Sequence, residues 1–175
     1  HYHDAKTFAR WAEENKDGET NPSIFVRHAI LSVVFASEAL INRILVEFGT
    51  DHNVYDVLER LSIPDKWYMA PLVCGNKLIP NTFIKGSDPY QSFVELVKIR
   101  NWLAHPQVQV FLEAELDPNS SIKMLDSQEE YPWLEMLKGK AWSQTKIPRN
   151  PFELNFQHAK DALKILDLMI EKIRS

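Results

Sequence analysis

Near the middle of the chain, Arg100-Asn101-Trp102-Leu103-Ala104-His105 gathers a guanidinium, an amide and an imidazole within about two helical turns. These groups suit phosphate chemistry. Arginine keeps its charge at all physiological pH values and offers several N–H donors in a rigid fork that fits phosphate oxygens. Histidine titrates near neutrality and can give or take a proton. The Asn101 amide can both donate and accept, as an orienting group must. Pro106 follows directly and disfavours a helical conformation at the residue before it, so His105 is expected at the helix C-cap. The partial negative charge of a helix C-terminus favours an imidazolium there, while Arg100 opposes it. On a regular helix Arg100 and His105 stand roughly 140° apart, whereas Asn101 and His105 share a face. Standing alone, these three types at a helix end are ordinary capping and surface residues.

The elements around them raise their standing. Asp88 and Pro89 begin a helix whose buried side is Phe93, Leu96, Val97, Ile99 and Leu103, and Pro106 ends it. Upstream, a helix is predicted from about Ile24 to Phe48 with Ser23 as N-cap. Its apolar residues, among them Ile30, Val33, Val34, Leu40, Ile41, Ile44, Leu45 and Phe48, cover more than one narrow stripe. Such a helix belongs at the centre of a domain or at a subunit interface. Shorter helices are predicted over Asp4 to Glu14 (with Phe8, Trp11 and Ala12 inward), over Asn53 to Leu61, and over Ile63 to Ala70 behind the cap Ser62. The last helix is predicted over Phe152 to Ile173. Pro71, Gly75, Pro80 and Gly86 break the chain over about 71–88. A second irregular stretch fills about 107–151, with strand-like alternation at Val108 to Leu112 and a possible helical turn at Tyr131 to Leu137. The expected fold is all-α: an antiparallel up-and-down bundle of four to five main helices with two irregular insertions, one domain over 1–175.

Composition sets outer bounds. The chain has 175 residues, 45% of them hydrophobic and 25% charged, enough for a real core. A formal net charge of −4 gives no global basic field, so any nucleic-acid contact must rest on a local positive patch or on one assembled from two subunits. Cys74 is the single cysteine, which excludes an intramolecular disulfide; it reads as a small hydrophobe or a half-exposed thiol rather than a nucleophile. Ser37, Glu38, Asn42 and Arg43 interrupt the apolar run of the second helix. No membrane association, no signal peptide and a cytoplasmic location are therefore expected.

The Arg-Asn-x-x-x-His string after an amphipathic helix, the helix Ala29 to Asn42 upstream, and a long C-terminal helix together resemble the HEPN superfamily. These are small helical bundles defined by an arginine, four to six residues, then a histidine, with a polar residue commonly after the arginine. Segments 29–48, 62–70 and 89–105 carry the resemblance. It implies a homodimer whose motifs face one another, and in catalytic members metal-independent RNA cleavage by attack of the 2′-hydroxyl on the neighbouring phosphate. On this chain it implies His105 as general acid or base, Arg100 as phosphate clamp and Asn101 as orienter. It further implies a setting in phage defence or a toxin–antitoxin system, with an antitoxin or other protein partner. Many members are instead noncatalytic dimers that bind nucleotide, RNA or protein. The tyrosine that some toxin members carry two residues after the histidine is Gln107 here.

Glu38, with Asn42 one turn on, sits in an otherwise apolar helix. Both read as surface polar contacts or, functionally, as supporting groups, with Glu38 approaching Arg100 or His105 across the bundle. Trp11, Trp67, Trp102, Trp133 and Trp142 could stack bases, but their spacing suits core or interface positions better. His28, His52 and His158 show no ligand spacing, so neither a metal nor a cofactor is expected.

Overall fold

The computed structural model describes residues 1–17, 21–48, 52–74, 83–104 and 137–174. His105, Pro106 and the strand-like 108–112 segment lie outside the described residues, as does 131–136. Among the described residues six helices carry the fold: α1 (Tyr2–Glu14), α2 (Ser23–Glu47), α3 (His52–Glu59), α4 (Ile63–Val73), α5 (Tyr90–Ala104) and α6 (Phe156–Arg174), with a short 3₁₀ turn at Pro151–Glu153. The architecture is an all-α bundle, and among the described residues there are no strands. An antiparallel bridge, Ala141 to Pro148, closes a small hairpin.

The 25-residue α2 touches every other helix, as its broad apolar surface predicts. By length and composition it is the one helix among the described residues apolar enough to cross a membrane. Val26, Ala29, Ile30, Val33, Ile41 and Leu45 on it are fully enclosed. Against it lies α1, whose buried stripe is Ala5, Ala9 and Ala12 rather than the expected Phe8 and Trp11. Three alanines at helical spacing let the two axes approach closely, so the bulky rings are displaced to the edges of the contact. Phe8 stacks on His28 at 5.3 Å, and Trp11, 39% exposed, meets Phe25 edge-on at 6.0 Å.

Several predicted boundaries are corrected. Ser23 is the first residue of α2 rather than its cap, and Asn21 Oδ1 accepts the Ser23 N–H at 3.0 Å instead. Ser62 does cap α4, accepting the Asp65 N–H at 3.3 Å. That helix runs on through Pro71 to Val73. A proline within the last turn deletes only one helical bond, and its neighbours Ala70 and Trp67 are held in the core. On α3 only Leu58 of the expected face is buried, while Val54 and Val57 are 42% and 65% exposed. The C-terminal helix begins four residues later than expected, because Asn150 caps the 3₁₀ turn and Asn155 caps α6. Between them Leu154 is extended and packed into the core.

Under α4 and α5 the core is aromatic. Trp67 is fully enclosed, edge-on to Phe83 at 6.2 Å and to Phe93 at 5.8 Å. Phe93, Leu96, Val97 and Ile99 bury one side of α5 against this cluster. Cys74 is buried, which fits the small hydrophobe and not the half-exposed thiol.

Candidate functional site

Two neighbours position the last turns of α5. On one side is α2: the Arg100 guanidinium carbon sits 5.5 Å from the centroid of the Phe35 ring, a cation–π contact on a residue that is itself 41% exposed. On another side is the 140–149 hairpin, where the Trp102 indole N–H donates to the Arg149 carbonyl oxygen at 3.2 Å. Residues 100 and 102 point about 160° apart on a helix, so the end of α5 is wedged between the two.

Arg100 is half-buried, and its Nε is enclosed without a hydrogen-bond partner among the described residues. No ion pair joins it to a described carboxylate. A guanidinium cannot discharge itself by losing a proton at working pH, and an enclosed donor left unmade costs about 1–3 kcal/mol. Among the described residues, Arg100 is therefore a fixed, aromatic-backed cation with no carboxylate partner. Asn101 is exposed on the adjacent face. His105 falls outside the described residues, so the geometry of the pair is carried by Arg100 and Asn101 alone.

Glu38 and Asn42 follow Phe35 at i+3 and i+7, which puts them on the face of α2 that Arg100 covers. Both are half-buried. Glu38 forms no ion pair with Arg100. Asn42 is engaged elsewhere: its Oδ1 accepts from the Lys66 ammonium at 3.0 Å. Lys66 is only 3% exposed, a buried amine that sequence reasoning missed. The signal was available in its position on the core side of a short apolar helix, between Ile63 and Trp67.

A second group that went unforeseen is Glu95, 8% exposed on α5. The Ser143 hydroxyl donates to its Oε1 at 3.1 Å, while the Gln144 and Thr145 N–H groups donate to its Oε2 at 2.9 and 2.6 Å. Burial alone would raise its pKa. Backbone and hydroxyl bonds from Thr145, joined by those from Ser143 and Gln144, outweigh it and hold the carboxyl below the ordinary glutamate value. Glu95 thus fastens the hairpin to α5 one face away from Arg100. His158 is shifted too: burial lowers its pKa against the opposing pull of Asp161, and its Nδ1 accepts the Asn155 N–H at 3.0 Å. It caps α6 and is no ligand in waiting. Of the described tryptophans, Trp67 is core and Trp142 is half-buried under Arg149, whose guanidinium lies 4.8 Å from its ring. Among the described residues no three metal-ligating side chains converge.

Compared with models of known families, with characterised proteins and with solved structures, the chain matches none of them.

Proposed function

We propose that this chain is a HEPN-like protein that cleaves RNA without a metal, with Arg100 as phosphate clamp, Asn101 as orienting amide and His105 as the proton-transfer group. The observation that carries the reading is the state of Arg100: half-buried, backed by Phe35, its Nε enclosed and unbonded, at a helix end. Such a cation suits the charge that builds on phosphate oxygens when a 2′-hydroxyl attacks the neighbouring phosphorus. In that step the hydroxyl loses its proton to a base, a P–O bond forms, and the 5′-oxygen leaves with a proton from an acid. A histidine near its pKa serves either role. The resemblance from which His105 takes this part also supplies the setting, defence or a toxin system.

The test is incubation of purified protein with mixed RNA in EDTA, alongside Arg100→Ala and His105→Ala. Cleavage ending in 2′,3′-cyclic phosphate and lost in both variants supports the reading. Cleavage surviving both removes it.

A second reading, a noncatalytic dimer that binds RNA, nucleotide or a protein partner, is favoured by one feature. Ile24, Phe35 and Val46 are 40%, 41% and 58% exposed, and at eleven-residue intervals they fall on one stripe of α2. They stand roughly 16 Å apart along the helix, with polar Asn42 between the last two, and such a mixed polar and apolar surface suits self-association. Because Phe35 also backs Arg100, a dimer formed there would bring two clamps near one another. Sedimentation of the wild type against Phe35→Asp checks it: the account expects a dimer that the charge dissociates.

A further inference from the structure

The segment between Leu137 and Glu153 contains Lys138, Lys140, Lys146 and Arg149 and no acidic residue. In a chain of net charge −4 this is a pronounced local reversal. The fold concentrates it further. Lys140 and Arg149 are directly opposite across the hairpin, one pair beyond the Ala141–Pro148 bridge, with the Arg149 N–H bonded to the Lys140 carbonyl at 2.8 Å. Their Cα atoms are thus only about 5.5 Å apart. Both side chains are exposed, and neither pairs with a carboxylate among the described residues. Arg149 is held over the Trp142 ring, which fixes its guanidinium before any ligand arrives. Further along the hairpin, an open cleft of about 250 Å³ between α5 and Ser143 and Gln144 is lined by two more cations, Lys98 and Lys85, the latter also over the Tyr68 ring.

Among the described residues, the acids that approach this surface are turned onto its backbone. Glu95 is taken up by Ser143, Gln144 and Thr145, and Glu153 accepts the Gly139 N–H with both oxygens at 3.3 Å. Neither reaches out to neutralise Lys140 or Arg149.

The geometry points to the hairpin as a grip for the phosphate backbone of single-stranded RNA, leading the strand around the end of α5 to Arg100. This rests on the proposed ribonuclease reading for its choice of ligand and extends it to substrate length. Arg100 and the hairpin lie on different sides of α5, so a ligand touching both must span about one helix width, roughly 10 Å. A mononucleotide cannot do this and an oligonucleotide can. Insertion into a lipid surface is not what the hairpin offers, since Ile147 is buried and Trp142 lies half-buried beneath Arg149.

The experiment is fluorescence-anisotropy binding of a short mixed-sequence single-stranded RNA over a range of salt. It is run with the wild type, Lys140→Ala/Arg149→Ala, and Lys98→Ala/Lys140→Ala, the last leaving the Arg149–Trp142 stack in place. Circular dichroism confirms that each variant is folded. With two phosphate contacts removed, the slope of log K against log salt should fall by about 1.4, and affinity at low salt by on the order of tenfold. In the cleavage assay KM should rise while kcat holds. A mononucleotide should not compete at concentrations where the oligonucleotide does. RNA affinity unchanged in both folded variants overturns the grip, as does equal binding of polyglutamate of matched charge. The two readings separate cleanly. Hairpin-dependent binding without any cleavage sustains the grip and removes the ribonuclease. Cleavage that ignores the hairpin does the reverse.

Discussion

At the scale of single residues, two polar side chains on the inside of this protein, Glu95 and Lys66, have partners that determine what they do. Glu95 is the most consequential for shape. Its carboxylate receives two backbone N–H groups and a hydroxyl, so Glu95→Ala leaves those donors unmade in a part-buried place. A loss of about 2 kcal/mol is expected in urea unfolding. The pH dependence follows from its lowered pKa. The folded state holds the proton less tightly than the unfolded chain does. The stabilisation is therefore complete above the ordinary glutamate pKa of about 4.3 and is lost as the pH falls through the lower folded value. Trp142 emission, which reports hairpin docking, should change in that acid range in the wild type and much less in Glu95→Gln. Lys66 presents the opposite case: among the described residues its ammonium has one bond, to Asn42, and it is 3% exposed. Replacing it with an apolar residue of similar length removes a buried cation without opening a cavity. Lys66→Met should leave thermal stability unchanged or raise it, whereas Asn42→Ala, which strands the ammonium, should lower it. A clear loss of stability in Lys66→Met would contradict this picture of the site.

At the scale of elements, helices were legible where the physics is local. The periodic apolar surface of α2, the inward face of α5 and the cap at Ser62 all act within a few residues, and the structure has each of them. The misses arise from competition over longer distances. The alanine stripe of α1 displaces Phe8 and Trp11 only because α2 approaches it closely. Val54 and Val57 look as inward as Leu58 until the position of α3 at the edge of α2 is known. The partners of Glu95 lie 48 to 50 residues away, and no spacing rule reaches that far. The start of α6 shifted because two asparagines offered competing caps, and the second prevailed with help from His158. That cap has its own pH signature. The His158 pKa is lowered, so neutral imidazole is the folded form; its contribution is present above the ordinary histidine pKa of about 6.5 and drains away as the pH falls toward the folded value. Protection factors of the amides in the first turn of α6, taken relative to the intrinsic exchange rate at each pH, should fall on acidification from pH 7 to 5.5 in the wild type. In His158→Ala they should already be low at pH 7.

At the scale of the whole molecule, one aromatic and aliphatic core joins all six helices, and α2 is its axis. Trp67 is its largest fully enclosed side chain, so Trp67→Ala should cost about 3–5 kcal/mol. Trp67→Phe should cost far less, because it also removes an indole N–H that is enclosed without a partner among the described residues. The net charge of −4 correctly excluded a global basic field, yet it concealed the reversal in the 140–149 hairpin. Total charge averages over distances several times the screening length, about 8 Å at physiological salt, whereas the hairpin places its cations within that length of one another. Of the candidate site, the types at 100 and 101 were legible. The backing of Arg100 by Phe35, and the wedge of α2 and hairpin around the helix end, were not, because both are made by segments far away in the chain.

The account depends most on Arg100 acting on phosphate at the end of α5. The direct measurement is the single-turnover rate of RNA cleavage in EDTA for the wild type, Arg100→Ala and Arg100→Lys, with folding verified by circular dichroism. The account predicts a fall on the order of a hundredfold or more for alanine. Lysine should recover it only partly, since a point charge does not replace a planar, aromatic-backed fork. A folded Arg100→Ala protein that cleaves at the wild-type rate would contradict it.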